Sequence, residues 1–332
     1  MKPRDRVTMA MTTHEWGRRL SDRVRAALGR GDLATARRLV VEGDGETPSL
    51  EKEYALMYRT LGATVRVVFR LLGEAVARSR APRAAARADA AALVHRFHVD
   101  LATLYDRSGI EARDAVERLG EAQAEIVLAI DTEHPARIRQ LITAKEYGHY
   151  VPLHDRLVRF LAETFGWVLV RFGPETLLDF HRATAEAQRA VFERWERMTV
   201  PEFVRATVCL AKQHMGRVEV REDAEKFTIE QSPCGSGGRL LLSGAYAGPA
   251  ALPFATGPGP LTLGERRLPV YCTQCAVWKG IKPLEWFGHP QAVVERPVYR
   301  HGSCIVHIYK RRNAAPPEYA RRLGFAGRTS PD

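Results

Sequence analysis

Four of the five cysteines stand in the last third of the chain at spacings that suit thiolate chemistry. Cys234 lies in Pro233-Cys234-Gly235-Ser236-Gly237-Gly238, Cys272 and Cys275 frame Thr273-Gln274, and Cys304 opens Cys304-Ile305-Val306-His307-Ile308-Tyr309. A Cys-x-x-Cys pair with one cysteine well upstream and one well downstream is the layout of a four-thiolate metal site. Two ligands arrive on one tight loop and the fold brings in the others. Closed thiolate sites commonly hold zinc, so zinc is the first cofactor expected and an iron–sulfur cluster the second. A dithiol redox pair is the third reading. A strand over Pro269-Val270-Tyr271 running into a helical turn at Cys272 would lower the thiol pKa there, but the strand–helix–strand frame of a thioredoxin is not visible. The plain alternative is four small, reduced core residues.

A proline-bounded loop follows the Cys-x-x-Cys: Pro283-Leu284-Glu285-Trp286-Phe287-Gly288-His289-Pro290. Glu285 and His289 are the candidate catalytic residues, a carboxylate and an imidazole able to carry protons beside a metal. The competing reading has Trp286 and Phe287 plugging the small domain while Glu285 and His289 stay solvated. On a strand, the two-residue period sets Cys304 with Val306 and Ile308, and His307 with Tyr309 on the other face, so Cys304 and His307 do not share an ion. Other candidates read as structure. Cys209 falls on a helix face, and Asp155 reads as a first-turn acid opposing the helix dipole. His95 and His98 share a helix side at a spacing that is often coincidental, and the glycines after Cys234 read as a plain turn because no Gly-Lys-Ser/Thr follows.

Taken together, these cysteine, glycine and Glu-Trp-Phe-Gly-His-Pro segments resemble a group of uncharacterised bacterial proteins. More distantly, the last third is similar to the L-2-amino-thiazoline-4-carboxylic acid hydrolase-like family, which also places a helical region before a cysteine-bearing small domain. That resemblance implies a cysteine-centred site and hydrolysis of a small heterocycle or amide. The family pattern has an aspartate after its central cysteine where this chain has Cys275.

The elements that must position these residues divide at Gly216. Up to that point apolar residues recur at helical spacing: Trp16 to Leu28, Leu33 to Val41 with Asp32 as N-cap, a long helix opened by Ser49, then Ala84 to Tyr105 and Ala112 to Ile130. Gly73 to Arg83 reads as a weak spot. The run over about 33–74 (two helices around a loop with Pro48) is echoed over about 135–175, where Leu141 and Ile142 lead through a short polar loop and Pro152 into Leu157 to Phe172. This suggests a duplicated helical unit. Leu177 to Met198 and Pro201 to Met215 complete a helical bundle. Beyond Gly216, alternation around Val218–Val220 and Lys226–Glu230 predicts strands, and Arg239–Leu242, Leu268–Tyr271, Ala292–Glu295 and Cys304–Lys310 read as further short ones. The expected organisation is thus a mainly α protein. A helical domain over 1–216 precedes a small α+β, cysteine-rich metal-binding domain over 217–315 and a loosely held tail over 316–332.

The 332 residues carry a net charge of +11, with 50 basic and 39 acidic side chains. The basic residues are mostly arginines spread along helices, not one block interleaved with aromatics, so a solvated surface accounts for them better than a nucleic-acid groove. The longest apolar segment, Phe160 to Phe172, contains Glu163 and Arg171 and is too short to cross a bilayer. Met1 to Leu20 lacks the apolar run of a secretory signal, which points to the cytoplasm and away from structural disulfides. Three readings follow. The first is a bacterial zinc enzyme acting on a small-molecule substrate in a pocket between the domains, and the second a non-enzymatic sensor or ligand-binding protein with a structural or redox-responsive metal knot. The third is a nucleic-acid binder.

Overall fold

In the computed structural model, residues 13–45, 47, 49–78, 83–105, 112–295 and 301–325 are described. Some helices begin where the sequence supplies caps. The Asp32 side chain accepts from the Thr35 amide at 2.9 Å and opens Leu33–Glu42; Ser49 Oγ accepts from the Lys52 amide at 3.2 Å and opens Leu50–Arg78. Such side chains satisfy amides that have no partner within the helix. Helices Arg83–Tyr105 and Ala112–Asp131 follow, and Gly73 interrupts nothing. Residues 79–82 of the expected weak spot lie outside the described set.

The second half of the proposed duplication differs from the first. Helix Leu33–Glu42 ends at Gly43, and helix Leu50–Arg78 begins separately. The expected polar loop before Pro152 is helical instead: Pro135–Thr143 runs into a π-helix, Ala144–Tyr150, and on through Val151–Phe172. Pro152 supplies the reason. Its ring has no N–H and would crowd the carbonyl four residues back, and a widened turn relieves that contact without ending the helix. The same device recurs at Pro283, preceded by the π-helix Val277–Ile281. There the freed carbonyl of Lys279 accepts from the Ala292 amide at 3.3 Å.

Val151–Phe172 is the central helix, with Phe160, Phe165, Leu161 and Val168 buried along one side. Burial of each such side chain stabilises the fold by roughly 1.5–3 kcal/mol. Helices Pro174–Glu186, Arg189–Glu196 and Val200–Gln213 complete the helical part.

Four antiparallel strands then form one sheet in the order Val218–Glu222, Lys226–Gln231, Cys304–Tyr309 and Val293–Val294. Val306 and Ile308 point into the core from the Cys304 strand, as the two-residue period requires. A separate pair joins Phe254–Thr256 to Arg267–Pro269. Two expectations fail. Arg239–Leu242 belongs to a helix, Gly237–Leu242, and not to a strand. The expected loose tail is docked as far as residue 325: Pro317–Arg322 is helical, Tyr319 and Leu323 are buried, and the Tyr319 hydroxyl accepts from the Val294 amide at 3.2 Å.

The apolar core runs unbroken from the helices into the sheet. Trp16 stacks on Phe227 with centroids 6.0 Å apart. The change of character near residue 217 is therefore one of secondary structure, without a gap in packing. No helix among the described residues is long and apolar enough to cross a membrane.

Candidate functional site

Three backbone approaches bring the cysteine segments together. The strand ladder sets Gln231 opposite Cys304; beyond it Ser232 Oγ meets Ser303 Oγ at 2.9 Å, and the Cys234 amide donates to the Gly302 carbonyl at 2.8 Å. Cys234 and Cys304 are thereby held on adjoining chains. The glycines after Cys234 close the rest of the gap. A Cβ on Gly238 would sit 2.1 Å from the Gly302 oxygen, and one on Gly237 would sit 2.8 Å from Cys272 Sγ. Only glycine permits both approaches. What the sequence presented as a plain turn is the joint that lets Cys234, Cys272 and Cys304 meet.

The pair Cys272 and Cys275 lies on one helical run, in which Thr273–Ala276 leads into the second π-helix and Lys282–Phe287. Helix Pro174–Glu186 anchors it: His181 Nε2 lies 2.8 Å from Thr273 Oγ1, and Trp278 Nε1 donates to Thr184 Oγ1 at 3.1 Å.

All five cysteines are free thiols. Burial pushes the Cys272 thiol well above its ordinary range, and the nearby Cys275, Cys234 and Cys304 push it further. Burial raises Cys304 as well, reinforced by Cys234 and Cys275 and opposed by Lys279. Cys275 is pushed up to about 11, again chiefly by burial and against Lys279. The four thiols, each half-buried, thus lie within electrostatic reach of each other. Tyr271 and Tyr319 lie within reach of the same thiols, and burial raises both phenols. Even so, no set of three or more His, Cys, Asp or Glu side chains among the described residues has the geometry to hold a metal ion.

Glu285 and His289, the expected proton carriers, are each engaged elsewhere. Glu285 accepts from Arg182 Nε at 3.1 Å and from Lys282 Nζ at 2.8 Å. His289 Nε2 lies 3.1 Å from Glu196, to which Arg312 also donates at 3.0 Å. Trp286 packs edge-on against Phe192 of helix Arg189–Glu196 with centroids 5.3 Å apart. This loop fastens the small sheet region to the helices.

No family model, curated protein or solved structure matches the chain.

A second polar group, missed in the sequence, lies beside the Cys234 loop. His154 is fully buried. Its Nδ1 is 2.8 Å from Asp155 Oδ1, and its Nε2 is 2.8 Å from His214 Nδ1. Arg239, from the helix that follows Cys234, donates to the same Asp155 oxygen from Nη2 at 2.7 Å and from Nε at 3.1 Å. The His214 backbone packs on Gly235. Burial lowers the pKa of both imidazoles, with Arg239 adding to the effect and Asp155 opposing it at His154. Asp155 is therefore not a first-turn acid: the helix runs on through it from Pro135, and its carboxylate takes Arg239 and His154 instead. The available signal was His154 itself, a polar residue on the same helical stripe as Leu157, Val158 and Leu161.

Polar burial continues deeper into the helical part. Glu146, on the first π-helix, accepts from Arg25 at 2.5 Å and from the Tyr54 hydroxyl. Glu53 Oε1 accepts from the Leu20 amide at 2.7 Å, while its Oε2 is buried without a partner. Burial raises the Glu53 carboxyl to about 7.

Proposed function

We propose that the protein is an iron–sulfur protein, in which Cys234, Cys272, Cys275 and Cys304 hold a cluster where the sheet meets the helices. The observation that carries this reading is the gathering of four thiols from three separate segments within electrostatic reach of each other. Buried thiols that raise one another's pKa gain nothing from proximity as neutral groups, whereas an inorganic cation core draws four thiolates together and offsets their charge. The Lys279 ammonium, which favours the ionised forms of Cys275 and Cys304, complements the negative charge of such a centre.

The choice between cluster and single ion rests on the absence of a single-ion geometry among the described residues. Zinc–sulfur bonds of about 2.3 Å in a tetrahedron require sulfurs within about 3.8 Å of each other. No three of these side chains meet a single ion's geometry, though all four are mutually in reach. A cluster of several irons and sulfides is larger than one ion, which favours it over the zinc expected from spacing alone. When bound, a cluster of this kind supplies one-electron redox chemistry. The chain's own part is to exclude water with Tyr271 and Tyr319 and to place Lys279 beside the sulfurs.

Purification under anaerobic conditions tests the reading. Iron and acid-labile sulfide in near-equal amounts, with broad brown absorption that Cys275→Ser removes, are expected. Stoichiometric zinc in a colourless protein would replace the cluster with a structural ion.

A further inference from the structure

The four-stranded sheet brings a hydroxyl, an imidazole and a carboxylate into one line, on the face opposite to that of Cys304. Thr228 and His307 are direct partners in the register of strands Lys226–Gln231 and Cys304–Tyr309, and Thr228 Oγ1 lies 3.0 Å from His307 Nδ1. Glu295 follows strand Val293–Val294, where its amide donates to the Ile305 carbonyl at 2.9 Å. Its Oε1 lies 2.6 Å from His307 Nε2. Three neighbouring stretches of backbone thus supply one group each, and both ring nitrogens are engaged.

The partners decide where the hydrogens sit. A carboxylate only accepts, so His307 Nε2 carries the hydrogen in its contact with Glu295. The neutral ring then has its lone pair on Nδ1, and the Thr228 hydroxyl donates to it. No second donor approaches Nδ1 among the described residues. A hydroxyl held on an imidazole lone pair, with a carboxylate behind the ring, is the arrangement of an activated nucleophile. The hydroxyl–imidazole contact is partly open to solvent, and the Glu295 side chain is 51 % exposed. Arg221 is the register partner of Thr228 on its other side, so a cation shares the face where an oxyanion would form.

We propose that Thr228 is a nucleophile that accepts a small acyl group from an activated ester or thioester, with His307 as its general base. The Thr228 oxygen bonds to the acyl carbon while its proton passes to His307 Nδ1. The bond from the acyl carbon to the leaving oxygen or sulfur then breaks, and His307 returns the proton to that atom. Water, deprotonated by the same nitrogen, releases the carboxylic acid and restores the hydroxyl. The line holds one proton carrier, which suits acyl groups on good leaving groups. Glu295 is a positioning residue: it keeps the hydrogen on Nε2 and touches no substrate. This site lies across the sheet from the thiols and stands whether or not they hold a cluster.

Reaction of the purified protein with p-nitrophenyl acetate, followed by peptide mapping, tests the proposal. An initial release of one nitrophenolate per chain is expected, with the acetyl group on Thr228. Thr228→Val loses that release, and His307→Gln slows acetylation of Thr228 by at least about a hundredfold, the lower range for a positioned general base. Long-range proton–nitrogen spectra of the unaltered protein give a readout free of any folding defect in the variants. They are expected to show neutral His307 with hydrogen on Nε2 and a bare Nδ1, and Glu295→Ala is expected to give a mixture of the two tautomers. Acetyl groups on lysines, tyrosines or cysteines with none on Thr228, an unchanged rate in His307→Gln, or hydrogen on Nδ1 in the neutral ring would overturn the proposal.

Discussion

His181 donates from Nε2 to the hydroxyl of Thr273, 2.8 Å away, inside the Cys-x-x-Cys turn itself. The direction is fixed because the Thr273 hydroxyl spends its one hydrogen on the Val270 carbonyl at 2.7 Å. His181 Nδ1 is then a buried acceptor with no partner, and burial lowers this imidazole's pKa to about 3. Thr273→Val removes the last polar partner of a sealed ring. The variant is expected to lose about 1–3 kcal/mol in urea denaturation, with a matching fall in cofactor retention, because the turn carrying Cys272 and Cys275 loses its anchor. A neutral result would show that His181 does not hold the turn.

Glu53 makes stability depend on pH. Its carboxyl titrates at about 7 in the folded protein against an ordinary value of 4.5, because burial disfavours the charge. Between those values the unfolded chain binds fewer protons than the folded one, so stability falls as pH rises through the window. The stabilisation is intact below about pH 4.5 and gone above about pH 7, a change on the order of 3 kcal/mol. Glu53→Gln keeps an acceptor for the Leu20 amide and cannot ionise. The difference in unfolding free energy between variant and parent is expected to grow in the variant's favour from pH 5 to pH 7.5. A constant difference would remove Glu53 as its source.

Gly238→Ala is a backbone test of the thiol centre. The new methyl would meet the Gly302 oxygen at 2.1 Å, and neither chain can yield without shifting Cys234 or Cys304. Folded yield is expected to drop, and any protein recovered should lack the cofactor. Gly244→Ala is the control: no atom lies near its Cβ position, so only the strain of its positive φ is added, and cofactor content should hold.

Glu285→Gln and His289→Ala break ion pairs that are partly open to solvent. Each is expected to cost at most about 1 kcal/mol and to leave metal and sulfide content unchanged. Loss of the cofactor in either variant would return these residues to the thiol centre.

Much of the scaffold was legible because its signals are local. Asp32 and Ser49 announce helix starts, and the alternation around Val218 and Lys226 announces strands whose side chains face two ways. The cysteine spacing pointed to one shared space without giving its geometry. What was missed is long-range or ambiguous. Asp155, His154 and His214 come together only when the central helix packs beside the end of helix Val200–Gln213, so no short window contains the group. Arg239–Leu242 is a brief apolar run that either element accommodates, and the preceding contacts of Gly237 and Gly238 decide for a helix. Pro152 suggested a break, yet a wider turn absorbed it and kept the helix intact.

The most direct test of the central claim is the iron, sulfide and zinc content of anaerobically purified protein, measured beside its visible spectrum. Iron and sulfide together, lost when Cys234, Cys272, Cys275 or Cys304 is changed to serine and retained when Cys209 is, is the predicted result. Protein that folds fully with neither iron nor sulfide, and keeps all five thiols free to a thiol reagent after denaturation, would contradict it.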